Sequence, residues 1–172
     1  MITPDAPAEK RGSAVSRASL LAYLLLIIYA SWFPFSGWRG SGLSPFIFLN
    51  TTMPQYWTGF DVVVNIIGYI PLGMLFALAV YPRVHGIWAI LVASILGVLV
   101  SGTMEAVQTY LPSRVPSNLD FFTNSAGGVV GAIIGAFGAR SYLDESRLYR
   151  LRQRLFSQHA SLGLVLLALW PL

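Results

Sequence analysis

Four long apolar runs dominate the chain, at about Ala18–Pro34, Asp61–Tyr81, Gly86–Tyr110 and Leu119–Ala139. Each is close to the ~20 residues an α-helix needs to cross the hydrocarbon of a bilayer. Peptide groups inside a bilayer find no water, so a spanning segment must satisfy its own backbone, which a helix does within itself. Composition agrees: 55% of residues are hydrophobic and 10% are charged, whereas a soluble domain carries roughly a quarter charged residues. The mean hydropathy is +0.65. The expected fold is all-α, a polytopic transmembrane bundle of four spanning helices. A further apolar stretch, Ser161–Leu172, is too short to span. It reads as a truncated fifth helix or as a segment lying in the interface.

The expected division follows from these runs. Residues 1–17, with Pro4 and Pro7, read as a disordered tail; 18–140 form the transmembrane domain. Residues 141–160 form a basic cytoplasmic segment and 161–172 the partial last element. Lys10, Arg11 and Arg17 ahead of the first run resemble the start of a signal peptide, but Tyr29-Ala30-Ser31 is a poor cleavage site and the run is long, so a retained helix is expected.

Lysine and arginine set the expected orientation. Lys10, Arg11, Arg17 and Arg83, together with Arg140, Arg147, Arg150, Arg152 and Arg154, fall on one side of a four-helix topology, and only Arg39 and Arg114 on the other. The positive-inside rule then places the N-terminus in the cytoplasm. The net charge of +4 is accounted for by this anchoring. An anionic-lipid patch at 140–154 is the rival reading, and nucleic acid is not an expected partner. Trp32, Trp38, Tyr56, Trp57 and Tyr110 fall near the expected outer boundary and Tyr81 and Trp88 near the inner one, as aromatic belts do.

The absence of cysteine excludes a disulfide framework, a thiolate metal site and a cysteine nucleophile. His85 and His159 lie in separate predicted loops. No resident metal or cofactor is expected, and no oligomeric state follows from the sequence.

Against this apolar background one pattern occurs twice. Residues 61–68 read DVVVNIIG and residues 120–127 read DFFTNSAG, both Asp-x-x-x-Asn-x-x-Gly at the head of an apolar run. Helical spacing puts Asp61, Asn65 and Gly68 on one face, and Asp120, Asn124 and Gly127 on another. Both runs travel from outside to inside, so the two patches are expected at one outer depth. The third run arrives there with Ser94, Gly97, Ser101, Glu105 and Gln108 on one stripe. Arg114, in the adjoining loop, is the nearby cation. The candidate binding set is therefore Asp61, Asn65, Glu105, Gln108, Arg114, Asp120 and Asn124.

Ionisable groups in spanning segments cost several kcal/mol unless paired or wet, and they usually face the bundle interior. Each also has a structural reading. Asp61 and Asp120 suit helix N-termini, Asn118 is an alternative cap, and asparagines bind helices together. Glu105 lies in the C-terminal half of its helix, where an acid is poorly placed, so it needs a partner: Arg114, or a proton. Gly127, Gly131 and Gly135 recur every four residues, as close helix packing requires. Pro71 is expected to kink its helix. The long loop before Asp61, with the apolar patch Pro45–Leu49, is an amphipathic connector or a cover over the site.

Four functional classes remain open on the residues. The first binds or modifies a cell-envelope intermediate, a membrane lipid or a lipid-linked precursor, at the outer leaflet. The second is an intramembrane enzyme with Glu105, Asp61 and Asp120 as candidate acid/base groups or oxygen ligands to a divalent cation. No Ser-His-Asp-type arrangement is visible. The third is a small transporter or channel and the fourth a structural scaffold.

The ordered combination DVVVNIIGYIPLGMLF (61–76) and SGTMEAVQTYLPSRVPSNLDFFTNSAGGVVG (101–131) resembles the VanZ-like family of bacterial membrane proteins. The family pattern maps onto Asp61, Asn65, Pro71, Leu72 and Gly73, then Ser101, Glu105, Gln108, Pro112 and Arg114, then Asp120, Asn124 and Gly127. The resemblance covers about residues 18–140. It implies a multi-pass protein of the bacterial cytoplasmic membrane, and the lysine and arginine distribution places the polar cluster outside. The family is named for a protein that gives low-level resistance to teicoplanin, a glycopeptide that binds cell-wall precursors. The resemblance implies no particular reaction.

Overall fold

The computed structural model describes residues 9–143 except 41, 51 and 55, with side chains from 15 through 139. Its elements are α1 (Glu9–Trp32), α2 (Gly59–Val80), α3 (Ile87–Gln108) and α4 (Asn118–Leu143), with one 3-10 turn, Ile47–Leu49, in the α1–α2 connector. Among the described residues there is no strand. Four segments are long and apolar enough to cross a membrane: Val15–Trp32, Gly59–Val80, Ile87–Gln108 and Asn118–Ala139.

The expected tail needs correction. The helix starts at Glu9, well inside residues 1–17. Polarity suggested a tail, but no proline follows Pro7 before the apolar run, and Glu, Lys, Arg and Ala are good helix formers. Of the expected basic segment, only 141–143 are described, as the end of α4. The rest of it, with His159 and the stretch 161–172, lies outside the described residues.

Glycines set the packing. Gly127 faces the backbone of Ile66, Gly131 that of Ile70 and Gly135 that of Met74, one turn at a time in the same register. Helices α2 and α4 are therefore parallel. A Cβ at Gly127, Gly131 or Gly73 would overlap the carbonyl oxygen of Ile66, Ile70 or Gly128 respectively. Helix α3 runs the other way: Gly97 faces the Gly128 Cα, Ser101 meets Phe121 and Glu105 meets Ser117. Without a hydrophobic drive between helices in lipid, such small-residue contacts let the backbones approach and gain dispersion energy. Helix α2 runs through Pro71 as one helix, although the ring removes one backbone donor.

The core is thin and made of Leu72, Ala77, Ala93 and Ala132 with Ile27, Tyr69, Phe76 and Met104. Phe60, Ile67, Leu91, Ile95, Leu99, Phe122, Ile134 and Phe137 point outward and are exposed. Such an apolar exterior is costly in water and ordinary against acyl chains. The ends of α1 and α3 and the starts of α2 and α4 gather at one end of the bundle, as the expected topology requires. Trp32 and Trp38 stand edge to face there, with centroids 6.5 Å apart. Trp88 marks the opposite end and is exposed.

Candidate functional site

Two helix starts form the floor of the polar end. At α2, Thr58 is the N-cap: its hydroxyl oxygen accepts from the Asp61 N–H (3.2 Å), and the Asp61 carboxylate accepts from the Thr58 N–H (3.0 Å). This is a closed capping box, which satisfies two donors the helix leaves free. At α4, Ser117 plays the part of Thr58: its hydroxyl oxygen accepts from the Asp120 N–H (3.3 Å), and its carbonyl accepts from the Phe121 N–H. Ser117, rather than Asn118, is the cap.

The second box is closed by a different residue. The Ser117 N–H donates to Glu105 Oε2 at 2.7 Å, across from α3. Glu105 is 2% exposed. Its position near the end of its own helix is unfavourable, but its carboxylate lies at the start of α4, where the macrodipole favours an anion. The Asp120 carboxylate is thereby released from the box and lies beside the side chains of Asn65, on α2, and Ser117.

Two expectations fail here. Arg114 is not the partner of Glu105. Its Nε donates to Phe33 O and its Nη2 to Ala30 O, each at 3.0 Å, so the guanidinium seats on the carbonyls at the end of α1. A cation at a helix C-terminus is electrostatically sound. Gln108 does not meet the Asp-Asn pairs either. Its Nε2 donates to Ser31 O at 3.2 Å, also on α1.

The structure brings together Asn65, Glu105 and Asp120, with Asn124 buried one turn after Asp120 on α4. Asp61 is at the exposed margin but within electrostatic range of Asp120. It also adds three residues to the set. Tyr69, one turn beyond Asn65, is 4% exposed. Its hydroxyl lies beside Ser101, outside hydrogen-bond geometry, and within electrostatic range of Glu105 and Asp120. Ser101 donates to Phe121 O at 3.3 Å. The spacing of Asp61, Asn65 and Tyr69, four residues apart each time, was the available signal for Tyr69. Ser117 was available too, because Thr58-x-x-Asp61 and Ser117-x-x-Asp120 are both cap signatures.

The two glycines of the doubled motif have different roles. Gly127 packs on α2, whereas open space surrounds Gly68 and its carbonyl accepts from the Tyr23 hydroxyl at 2.8 Å. The α1–α2 connector reaches inward over this end. Phe48 is 1% exposed and packs on Phe121, with centroids 5.5 Å apart, and Thr109 donates to Pro45 O.

Two buried polar atoms in the cluster have no hydrogen-bond partner: the Tyr69 hydroxyl and Asn124 Oδ1, the latter on a residue 6% exposed. An unsatisfied buried polar group costs ~1–3 kcal/mol. The hydroxyl is within electrostatic range of Glu105 and Asp120, and Asn124 follows one turn after Asp120 on α4, so this end holds an unused amide acceptor and one free hydroxyl. Among the described residues no three His, Cys, Asp or Glu side chains gather closely enough to hold a metal ion.

A family model described as VanZ/LLP1 matches residues 20–138. No curated protein and no solved structure matches the chain.

Proposed function

The chain belongs to the VanZ-like family, a multi-pass membrane protein by its four apolar helices, and from that premise we propose that its polar end binds a cell-envelope intermediate at the outer leaflet. The observation that carries this reading is the pair of unpartnered buried groups, Tyr69 Oη and Asn124 Oδ1. A fold gains nothing from leaving them unsatisfied, while a ligand that meets them recovers their hydrogen bonds. The ligand is a membrane lipid or a lipid-linked precursor of the envelope, which reaches the site from the bilayer. Sequestering or modifying such a molecule alters how much target is presented to teicoplanin. Arg114 takes no part in binding, because its donors face α1.

The test is teicoplanin susceptibility of cells expressing wild type, Glu105→Gln or Asp120→Asn, with membrane abundance matched. Protection by wild type and its loss in both variants is expected. Full protection by the variants contradicts the site, and no protection by wild type removes the glycopeptide part of the reading.

A second reading has its own observation. Glu105 and Arg114 both tie one helix end to another segment, which is what a scaffold needs. In that case the substitutions lower abundance and stability, and any loss of protection follows abundance.

A further inference from the structure

Resting on the reading of the polar end as a ligand site, we infer that the group it takes is a primary ammonium. The sign of the local field is the first argument. The starts of α2 and α4 contribute roughly half a positive charge each. Against them stand three carboxylates: Asp61, Glu105 and Asp120. The ends of α1 and α3 contribute roughly half a negative charge each, and Arg114, seated on α1, offsets both. Arg39, the other cation at this end, is exposed on the connector, tied by its backbone N–H to Tyr110 O. Counted together with Arg39, these leave a balance of about one negative charge with every carboxylate ionised.

The hydrogen-bond inventory is the second argument. Asn124 Oδ1 is an acceptor with no donor. Glu105 Oε2 receives only the Ser117 N–H, and a carboxylate has about four acceptor positions. The Tyr69 hydroxyl can accept as well as donate. Trp32 Nε1, on α1 at the same end, is a buried donor without a partner; among Tyr69, Glu105 and Asn124 the surplus is in acceptors, so a matching ligand brings donors. A primary ammonium carries three donors and no acceptor, together with the required charge. A phosphate reverses both properties. A chelated divalent cation is best held by several converging oxygen ligands, and among the described residues no three His, Cys, Asp or Glu side chains gather to supply them. Dispersed carboxylates suit an ammonium, which is met by separate acceptors.

The source is decided by experiment. A lipid aminoethyl headgroup would reach the cluster from the flank where Phe60, Val63 and Ile67 on α2 and Phe122 on α4 are exposed. A soluble amine would reach it past Asp61, at the exposed margin.

The full chain, purified in maltoside micelles, is examined by native mass spectrometry with phosphatidylethanolamine, phosphatidylcholine and phosphatidylglycerol, one at a time. Phosphatidylethanolamine is expected to bind about tenfold more tightly than either of the others, the scale of one charge-assisted hydrogen bond. Asp120→Asn, which keeps the shape and removes the charge, is expected to abolish that preference. Equal binding of the choline lipid overturns the need for N–H donors, and equal or tighter binding of the glycerol lipid overturns the sign of the site. Retained preference in folded Asp120→Asn also overturns the assignment. If that variant does not fold, the ranking of the three lipids by wild type decides alone. Free ethanolamine is then added: displacement of the lipid identifies the amine itself as sufficient, and retention of the lipid identifies the lipid as the source, both upholding the ammonium. Absence of binding to either overturns it. Because the readout is binding, a null result for teicoplanin in cells leaves this outcome independent.

Discussion

Most charged side chains at the polar end match a helix terminus. Asp61 closes the cap of its own helix, Glu105 closes the cap of α4 from α3, and Arg114 closes the end of α1 from the α3–α4 loop. This arrangement makes distinct predictions for neighbouring residues. Arg114→Ala removes two hydrogen bonds from otherwise free carbonyls and is expected to lower stability by about 1–3 kcal/mol, read as a drop in Tm, while the folded fraction keeps or strengthens its preference for the ethanolamine lipid, because a nearby positive charge is gone. Unaltered Tm would contradict its structural role. Thr58→Ala is expected to cost about 1 kcal/mol, the usual scale of a lost N-cap, again by Tm.

These roles were only partly legible from residue types. The doubled Asp-x-x-x-Asn and the inward Glu105 are polar letters in apolar text, and they stand out. Gln108 and Arg114 were visible as polar residues, but their partners are main-chain carbonyls 77 to 84 residues away. A backbone carbonyl has no signature in the sequence, so proximity along the chain favoured Glu105 as the partner of Arg114 instead. Tyr69 and Ser117 were legible in principle, by helical spacing and by the cap pattern. Both were hidden by chemistry that looks ordinary, a tyrosine in an apolar run and a serine in a loop.

At the scale of elements, α2 and α4 form the central pair, in contact through backbone rather than side chains. Gly131→Ala and Gly73→Ala each drive a methyl into a carbonyl oxygen of the facing helix. Rigid backbone cannot yield as a side chain does, so each is expected to cost about 2–4 kcal/mol. Gly68→Ala meets open space, and Gly97→Ala meets Gly128 Cα at 3.6 Å, an ordinary contact. Both are expected to be neutral or stabilising, since alanine is the better helix former. Unfolding in graded denaturing detergent separates the two classes, and equal losses at all four positions would contradict the packing described. The every-fourth glycine pattern announced tight packing but not its partner. The parallel register of α2 and α4 emerges from matching Gly127, Gly131 and Gly135 to successive turns of α2.

For the whole molecule, the apolar runs were sufficient to anticipate four helices and their alternation, because a bilayer leaves a backbone few alternatives. The α1–α2 connector was not foreseeable in detail. Burial of Phe48 depends on Phe121, which is distant in sequence. Orientation is open to direct test because the chain has no cysteine. Single substitutions Ser113→Cys, at the polar end, and His85→Cys, at the other, both lie at exposed positions. The positive-inside distribution predicts that an impermeant maleimide labels Ser113→Cys in intact cells and His85→Cys only after permeabilisation. The reverse pattern would place the polar end in the cytoplasm and end the outer-leaflet proposal.

The central claim is that this polar end serves a ligand and not only the fold, and Tyr69→Phe tests it most directly. The substitution deletes one buried hydroxyl that has no hydrogen-bond partner and leaves the ring in place. Its Tm and the teicoplanin protection it gives should be measured beside wild type at equal membrane abundance. The account predicts a Tm equal to or above that of wild type, because an unsatisfied group has been removed, together with loss of protection. Full protection at unchanged Tm, or a fall in Tm that accounts for the lost protection, would contradict it.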